Sequence, residues 1–83
     1  MTTVKAKVRV PKLDVKRILR VFGETNADVY SAVSAGGVEL SFQAVTKWRE
    51  RNALSMERWL QLVAIARAQG RNLEPIENYY LWD

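Results

Sequence analysis

Phe42-Gln43-Ala44-Val45-Thr46-Lys47-Trp48-Arg49-Glu50-Arg51-Asn52, preceded by Ser41, carries the marks of a helix with a single apolar edge. Serine suits an N-cap because its hydroxyl accepts a backbone N–H that the first turn leaves free. At about 100° per residue, Phe42, Val45 and Trp48 fall within one third of the circumference and are expected to point inward. The rest of the surface is polar. Asn52 tolerates the left-handed conformation that stops a helix.

On the C-terminal side, Ser55 with Glu57 and Arg58 reads as the cap and first turn of a fourth helix running to Gln69, with Gly70 just past its end. Its apolar set, Met56, Trp59, Leu60, Leu62, Val63, Ile65 and Ala66, spans more than half the circumference, wider than one core face requires. Another segment or another molecule must cover the excess. After Pro75 come Ile76-Glu77-Asn78-Tyr79-Tyr80-Leu81-Trp82, residues suited to strands or interfaces.

On the N-terminal side, Gly36-Gly37 ends a second helix over Ala27 to Ala35, capped by Thr25 or Asn26. From Lys12 to Phe22 the residues Val15, Ile18, Leu19 and Phe22 keep helical spacing, with Lys12, Lys16, Arg17 and Arg20 opposite them. Gly23 is expected to close that helix in a left-handed conformation. Val4 to Val10 alternates apolar and basic residues as a strand does, and Pro11 marks its boundary. One domain over 1–83 follows: a basic strand or arm at 1–11, a helical core at 12–70 and an aromatic tail at 71–83.

Eighty-three residues with 48% apolar content make a small folded chain rather than a disordered one. Cysteine and histidine are absent, which removes disulfides, thiol nucleophiles, most zinc sites and the usual base at neutral pH. The carboxylates are scattered without metal-ligand spacing, and Gly36-Gly37 fits a turn better than a phosphate loop. An enzyme is therefore the weakest reading, and neither cofactor nor metal is expected. No signal-peptide core and no membrane-length apolar run occurs, so a soluble cytoplasmic protein is expected.

The formal charge is +4, and it is segregated. Residues 1–22 hold Lys5, Lys7, Arg9, Lys12, Lys16, Arg17 and Arg20 against Asp14, whereas residues 23–40 hold only the acids Glu24, Asp28 and Glu39. Such a distribution favours a polyanionic partner. The same cations also fit the solvated side of a strand and helix, so both readings stay open.

Phe22-Gly23, Ala32 ahead of Gly36, and Val45-Thr46-Lys47-Trp48-Arg49-Glu50-Arg51-Asn52-Ala53-Leu54-Ser55-Met56-Glu57-Arg58-Trp59 resemble the small Cro/repressor-type helix-turn-helix regulators of phages and prophages. Asn52 stands where that family usually has Gly, and Ser55 where it has Pro; both keep the turn and capping chemistry. From Gly37 to Ser41 the turn is longer than usual, which shifts the register of the helix that follows. The resemblance implies a mainly α, compact four-helix lambda-repressor-like helix-turn-helix domain with a short N-terminal β-strand. A C-terminal strand is left open.

It further implies a sequence-specific DNA-binding transcription regulator, a Cro-like repressor acting on a partly palindromic operator as a homodimer in a bacterial cell or phage-infected host. On matching positions, Gln43, Ala44, Thr46 and Lys47 would face base edges in double-stranded DNA, with Ser41 near a phosphate. Gln43 can pair with adenine and Lys47 with guanine. Arg49, Arg51 and Arg58, with Lys12 and Lys16 on the basic flank, would meet the DNA backbone. The alternative is an antitoxin or anti-repressor type interaction module that grips a protein partner with its aromatic tail. That tail equally suits packing on its own core, and pairing there with the N-terminal strand.

Overall fold

The computed structural model describes residues 9–82. In chain order they form β1 (Lys12–Leu13), α1 (Val15–Arg20), α2 (Asn26–Ala35), α3 (Phe42–Arg51), α4 (Met56–Ala68), a 3₁₀ turn (Ile76–Tyr79) and β2 (Tyr80–Leu81). The protein is thus mainly helical, with four α-helices and one two-stranded antiparallel sheet among the described residues. No helix among them is long and apolar enough to cross a membrane.

Local chemistry accounts for most helix ends. Thr25 and Asp28 form a reciprocal capping box: the Thr25 hydroxyl accepts the Asp28 N–H at 3.1 Å, and the Asp28 carboxylate accepts the Thr25 N–H at 3.4 Å. The Ser41 and Ser55 hydroxyls accept the N–H groups of Ala44 and Arg58 at 3.2 and 3.1 Å. Gly37 and Gly70 adopt positive φ of 89° and 66° beyond the ends of α2 and α4, where a side chain would be strained.

Two expectations need correction, and a third lies largely outside the described residues. The strand expected over 4–10 falls largely on residues 4–8, outside the described residues, and Arg9 and Val10 belong to no strand. Pairing begins later, with Lys12 opposite Leu81 and Leu13 opposite Tyr80. Lys12 therefore lies in β1 and not in the first helix, because the Asp14 N–H donates to the Tyr79 carbonyl at 2.7 Å and holds this segment extended. Asp14 then caps α1, accepting the Arg17 N–H at 3.3 Å. Finally, Gly23 is absent from the positive-φ residues; it is needed because a Cβ there would sit 2.3 Å from Asp28 Cβ.

The core joins all four helices: Val15, Ile18, Leu19 and Phe22 from α1 and its end, Val29, Ala32 and Val33 from α2, Val45 from α3, and Trp59, Leu62, Ile65 and Ala66 from α4. Tyr79 completes it at 2% exposure. Its ring meets Trp59 edge to face at 6.0 Å, and its hydroxyl accepts the Glu74 N–H at 3.1 Å. The tail thus folds back and covers part of the wide apolar face of α4, with Leu73 and Ile76 packed beside it.

Arg17 locks this arrangement. It donates to the Asn78 carbonyl at 2.8 Å and to the Glu74 carboxylate at 2.9 Å, and its guanidinium lies 5.0 Å from the centre of the Tyr79 ring. Both partners of the ion pair are well exposed, so the pair itself contributes at most about 1 kcal/mol.

Asn52 does more than stop α3. With φ at 50° it is left-handed, and its Oδ1 accepts the Val15 N–H, one of the free donors of the first turn of α1, at 3.1 Å. Replacing Asn52 by Gly keeps the conformation but removes the acceptor, at an expected loss of about 1 kcal/mol. Replacing it by Ala adds the left-handed penalty, for about 2 to 3 kcal/mol in all. Urea denaturation of the two variants checks this order; an alanine variant as stable as the glycine one contradicts it.

Candidate nucleic-acid interface

Helix α3 buries only Val45 fully; Ala44, Thr46, Trp48 and Arg49 are half-buried and the other five residues are exposed. Measured from Val45 at about 100° per residue, Gln43, Lys47, Glu50 and Arg51 all lie on the far side. All four are exposed. Gln43 and Lys47 stand one turn apart and form the middle of that face. Ala44 and Thr46 flank it and are half-buried. The Thr46 hydroxyl donates to the Phe42 carbonyl at 3.4 Å, which occupies its proton and leaves its oxygen lone pairs.

Ser41 is exposed at the N-terminal end of α3, with its hydroxyl used in the cap. Phe42 departs from expectation. It is 47% exposed and packs edge to face against Tyr30 at 5.9 Å, bracing α3 on α2 at the rim of the core. Trp48 is half-buried against the core, as the inward spacing predicts. The long turn before α3 is anchored too, since Val38 and Leu40 pack on the core.

The three arginines differ in setting. Arg51 is exposed at the end of α3. It shares with Lys47 a shallow depression floored by Trp48 and Leu54. Arg49 is half-buried, on the side of α3 towards Val45, and its Nε is buried without a hydrogen-bond partner. Arg58 is half-buried, donates to Gln61 Oε1 at 3.0 Å and lies 5.8 Å from the centre of the Trp48 ring. Arg51 is thus the most freely presented of the three.

The bond from Val15 to Asn52 seats the first turn of α1 beside the last turn of α3. Exposed Lys16 follows Val15 at this junction, whereas exposed Lys12 stands on β1. Two residues of this surface escape a search for cations. Glu50 faces outward two turns beyond Gln43 on the same side of the helix, placed there by the same periodicity, and brings the one carboxylate of that face. Asn52 organises the junction through a side-chain amide that a helix-stop assignment does not use.

No group of three or more acidic, histidine or cysteine side chains gathers as metal ligands among the described residues. What is assembled is an exposed helix face with an amide, two cations and a carboxylate along it, flanked by further cations. No family model, curated protein or solved structure matches this chain.

Proposed function

We propose that the protein is a sequence-specific DNA-binding regulator in which α2 and α3 act as a helix-turn-helix and α3 enters the major groove. The observation that supports this most is the single buried residue of α3, Val45, set against exposed Gln43, Lys47, Glu50 and Arg51. A helix whose role was core packing would bury more of its circumference. An α-helix presented in this way fits the width of the major groove.

In this reading Gln43 reads a base edge, with Lys47 and Glu50 as the second and third readers; a carboxylate can accept from the cytosine amino group. Ala44 and Thr46 line the flanks of the groove. Arg51, Lys16 and Ser41 meet phosphates, with Lys12, Arg49 and Arg58 further contributors to the positive field. A short recognition helix reads only a few base pairs, so a homodimer on two half-sites supplies adequate specificity. A Cro-like repressor acting in the cytoplasm, without cofactor or metal, is the regulator this description fits.

The test is selection of bound sequences from a random DNA pool at two salt concentrations, followed by affinity measurements on the selected site. Gln43→Ala is expected to relax base preference at one position by about 1 to 3 kcal/mol. Arg51→Ala is expected to weaken binding to every sequence and to lower the slope of log affinity against log salt by about 0.9. Equal effects of both variants on all sequences, or no selected consensus, would reject the proposal.

The protein-interaction reading draws on Leu81 and Trp82, which remain 47% and 61% exposed beyond the buried Tyr79. Removing residues 81–83 separates the two readings: retained DNA binding with loss of a protein partner favours the interaction module.

A further inference from the structure

Among the described residues, helix α4 is covered on one side only. Its exposed positions are Met56, Glu57, Leu60, Ala64, Arg67 and Ala68, and Met56, Leu60, Ala64 and Ala68 follow one another at every fourth residue, a continuous apolar ridge. Met56 and Leu60 are 63% and 58% exposed, unusual for large apolar side chains on adjacent turns of one helix. The folded-back tail packs on Trp59 through Tyr79, and its residues Leu73 to Ile76 line an open groove with Leu60, Val63 and Arg67 that leaves Met56 and Leu60 exposed. The ridge carries one acid at its N-terminal end, Glu57, and one base at its C-terminal end, Arg67.

We infer that this ridge is the contact between two copies of the chain, packed as an antiparallel α4 pair about a two-fold axis. Within one helix Glu57 and Arg67 are about 15 Å apart along the axis and do not reach each other. A parallel pair would set Glu57 against Glu57 and Arg67 against Arg67. An antiparallel pair aligned with Leu60 opposite Ala64 of the second copy brings Glu57 level with Arg67, twice, and sets Met56 opposite Ala68. Each large side chain then faces a small one, which lets the helices approach closely. One patch complements itself, as a two-fold contact requires.

The same alignment sends the N-terminal ends of the two α4 helices in opposite directions. Each α3 joins its α4 through residues 52–55, so the two α3 helices lie towards opposite ends of the dimer, an arrangement compatible with two half-sites. The contact itself owes nothing to DNA, and it is measured without DNA, so its failure leaves the DNA-binding proposal standing and the reverse also holds.

The experiment is sedimentation equilibrium of the full chain across micromolar concentrations, with circular dichroism confirming that every variant is folded. The unaltered chain is expected to dimerise, and Leu60→Glu to weaken the dimer at least about tenfold. Glu57→Arg and Arg67→Glu alone are each expected to weaken it by about threefold to tenfold, because each sets like charges together twice. Combined in one chain they restore the pairing and recover the dimer. A monomeric unaltered chain, a dimer indifferent to Leu60→Glu, or a double reversal no better than the single ones would overturn the inference; the second outcome would point to Leu81 and Trp82 as the contact instead.

Discussion

Tyr79→Ala is expected to cost about 3 to 5 kcal/mol of folding stability, a large part of the roughly 4 to 12 kcal/mol available to a chain of this size. The side chain is 2% exposed, stacks edge to face on Trp59, and carries the Arg17 guanidinium on its ring. Removing it opens a cavity beneath α4 and frees the tail that Arg17 and the β1–β2 pair hold. Thermal unfolding should fall by more than about 12 °C, since 1 kcal/mol corresponds to about 4 to 8 °C in a domain this small. Tyr79→Phe keeps the ring and leaves only the Glu74 N–H without its acceptor, for about 1 kcal/mol. A shift of only a few degrees for Tyr79→Ala would mean that the tail contributes little to the fold.

The second large effect is expected at Gly23. A Cβ at this position would sit 2.3 Å from Asp28 Cβ, 3.0 Å from Asp28 C and 3.1 Å from Val29 N. None of these atoms is the free end of a side chain, so relief requires α2 to move against α1, and α2 carries the buried Val29, Ala32 and Val33. Gly23→Ala is expected to cost about 3 kcal/mol, the upper part of the range for overpacking. Gly37→Ala provides the contrast: nothing lies within 4 Å of its Cβ, and only its φ of 89° resists, for about 1 kcal/mol. Chemical denaturation of the two variants separates crowding from backbone strain. A Gly23→Ala variant no less stable than Gly37→Ala would contradict the close approach of α1 and α2.

Much of the candidate interface was legible in residues 41–52. The cap at Ser41, the inward Val45 and the outward Gln43 and Lys47 follow from one helical period and one capping hydroxyl, all within a dozen residues. The same period exposes Glu50, but attention to cations passes over it. Arg49 is different. Its charge suggests a solvated side chain, yet its position some 40° from Val45 draws the aliphatic stem inward and buries Nε. Phe42 errs the other way: an inward azimuth on the first residue of a helix does not bring a ring into the core when Tyr30 meets it at the rim.

The sequence alone determined α2, α3 and α4 and their ends, because Thr25, Ser41, Ser55, Asn52 and Gly70 act on backbone groups within a few residues of themselves, whereas the start of α1 did not follow from it. Periodicity likewise selected the buried residues of α1, α3 and α4, but not Val29, Ala32 and Val33 of α2 or Tyr79 of the tail. Tertiary structure alone decided where the tail goes, that Lys12 and Leu13 pair with it, that Gly23 is a point of close approach, and that Asn52 joins α3 to α1. All but the Gly23 contact depend on groups far apart in the chain: Asp14 with Tyr79, Arg17 with Glu74 and Asn78, Val15 with Asn52. Local propensity is silent about such meetings, which are settled only when the helices pack and unsatisfied donors find acceptors across the core.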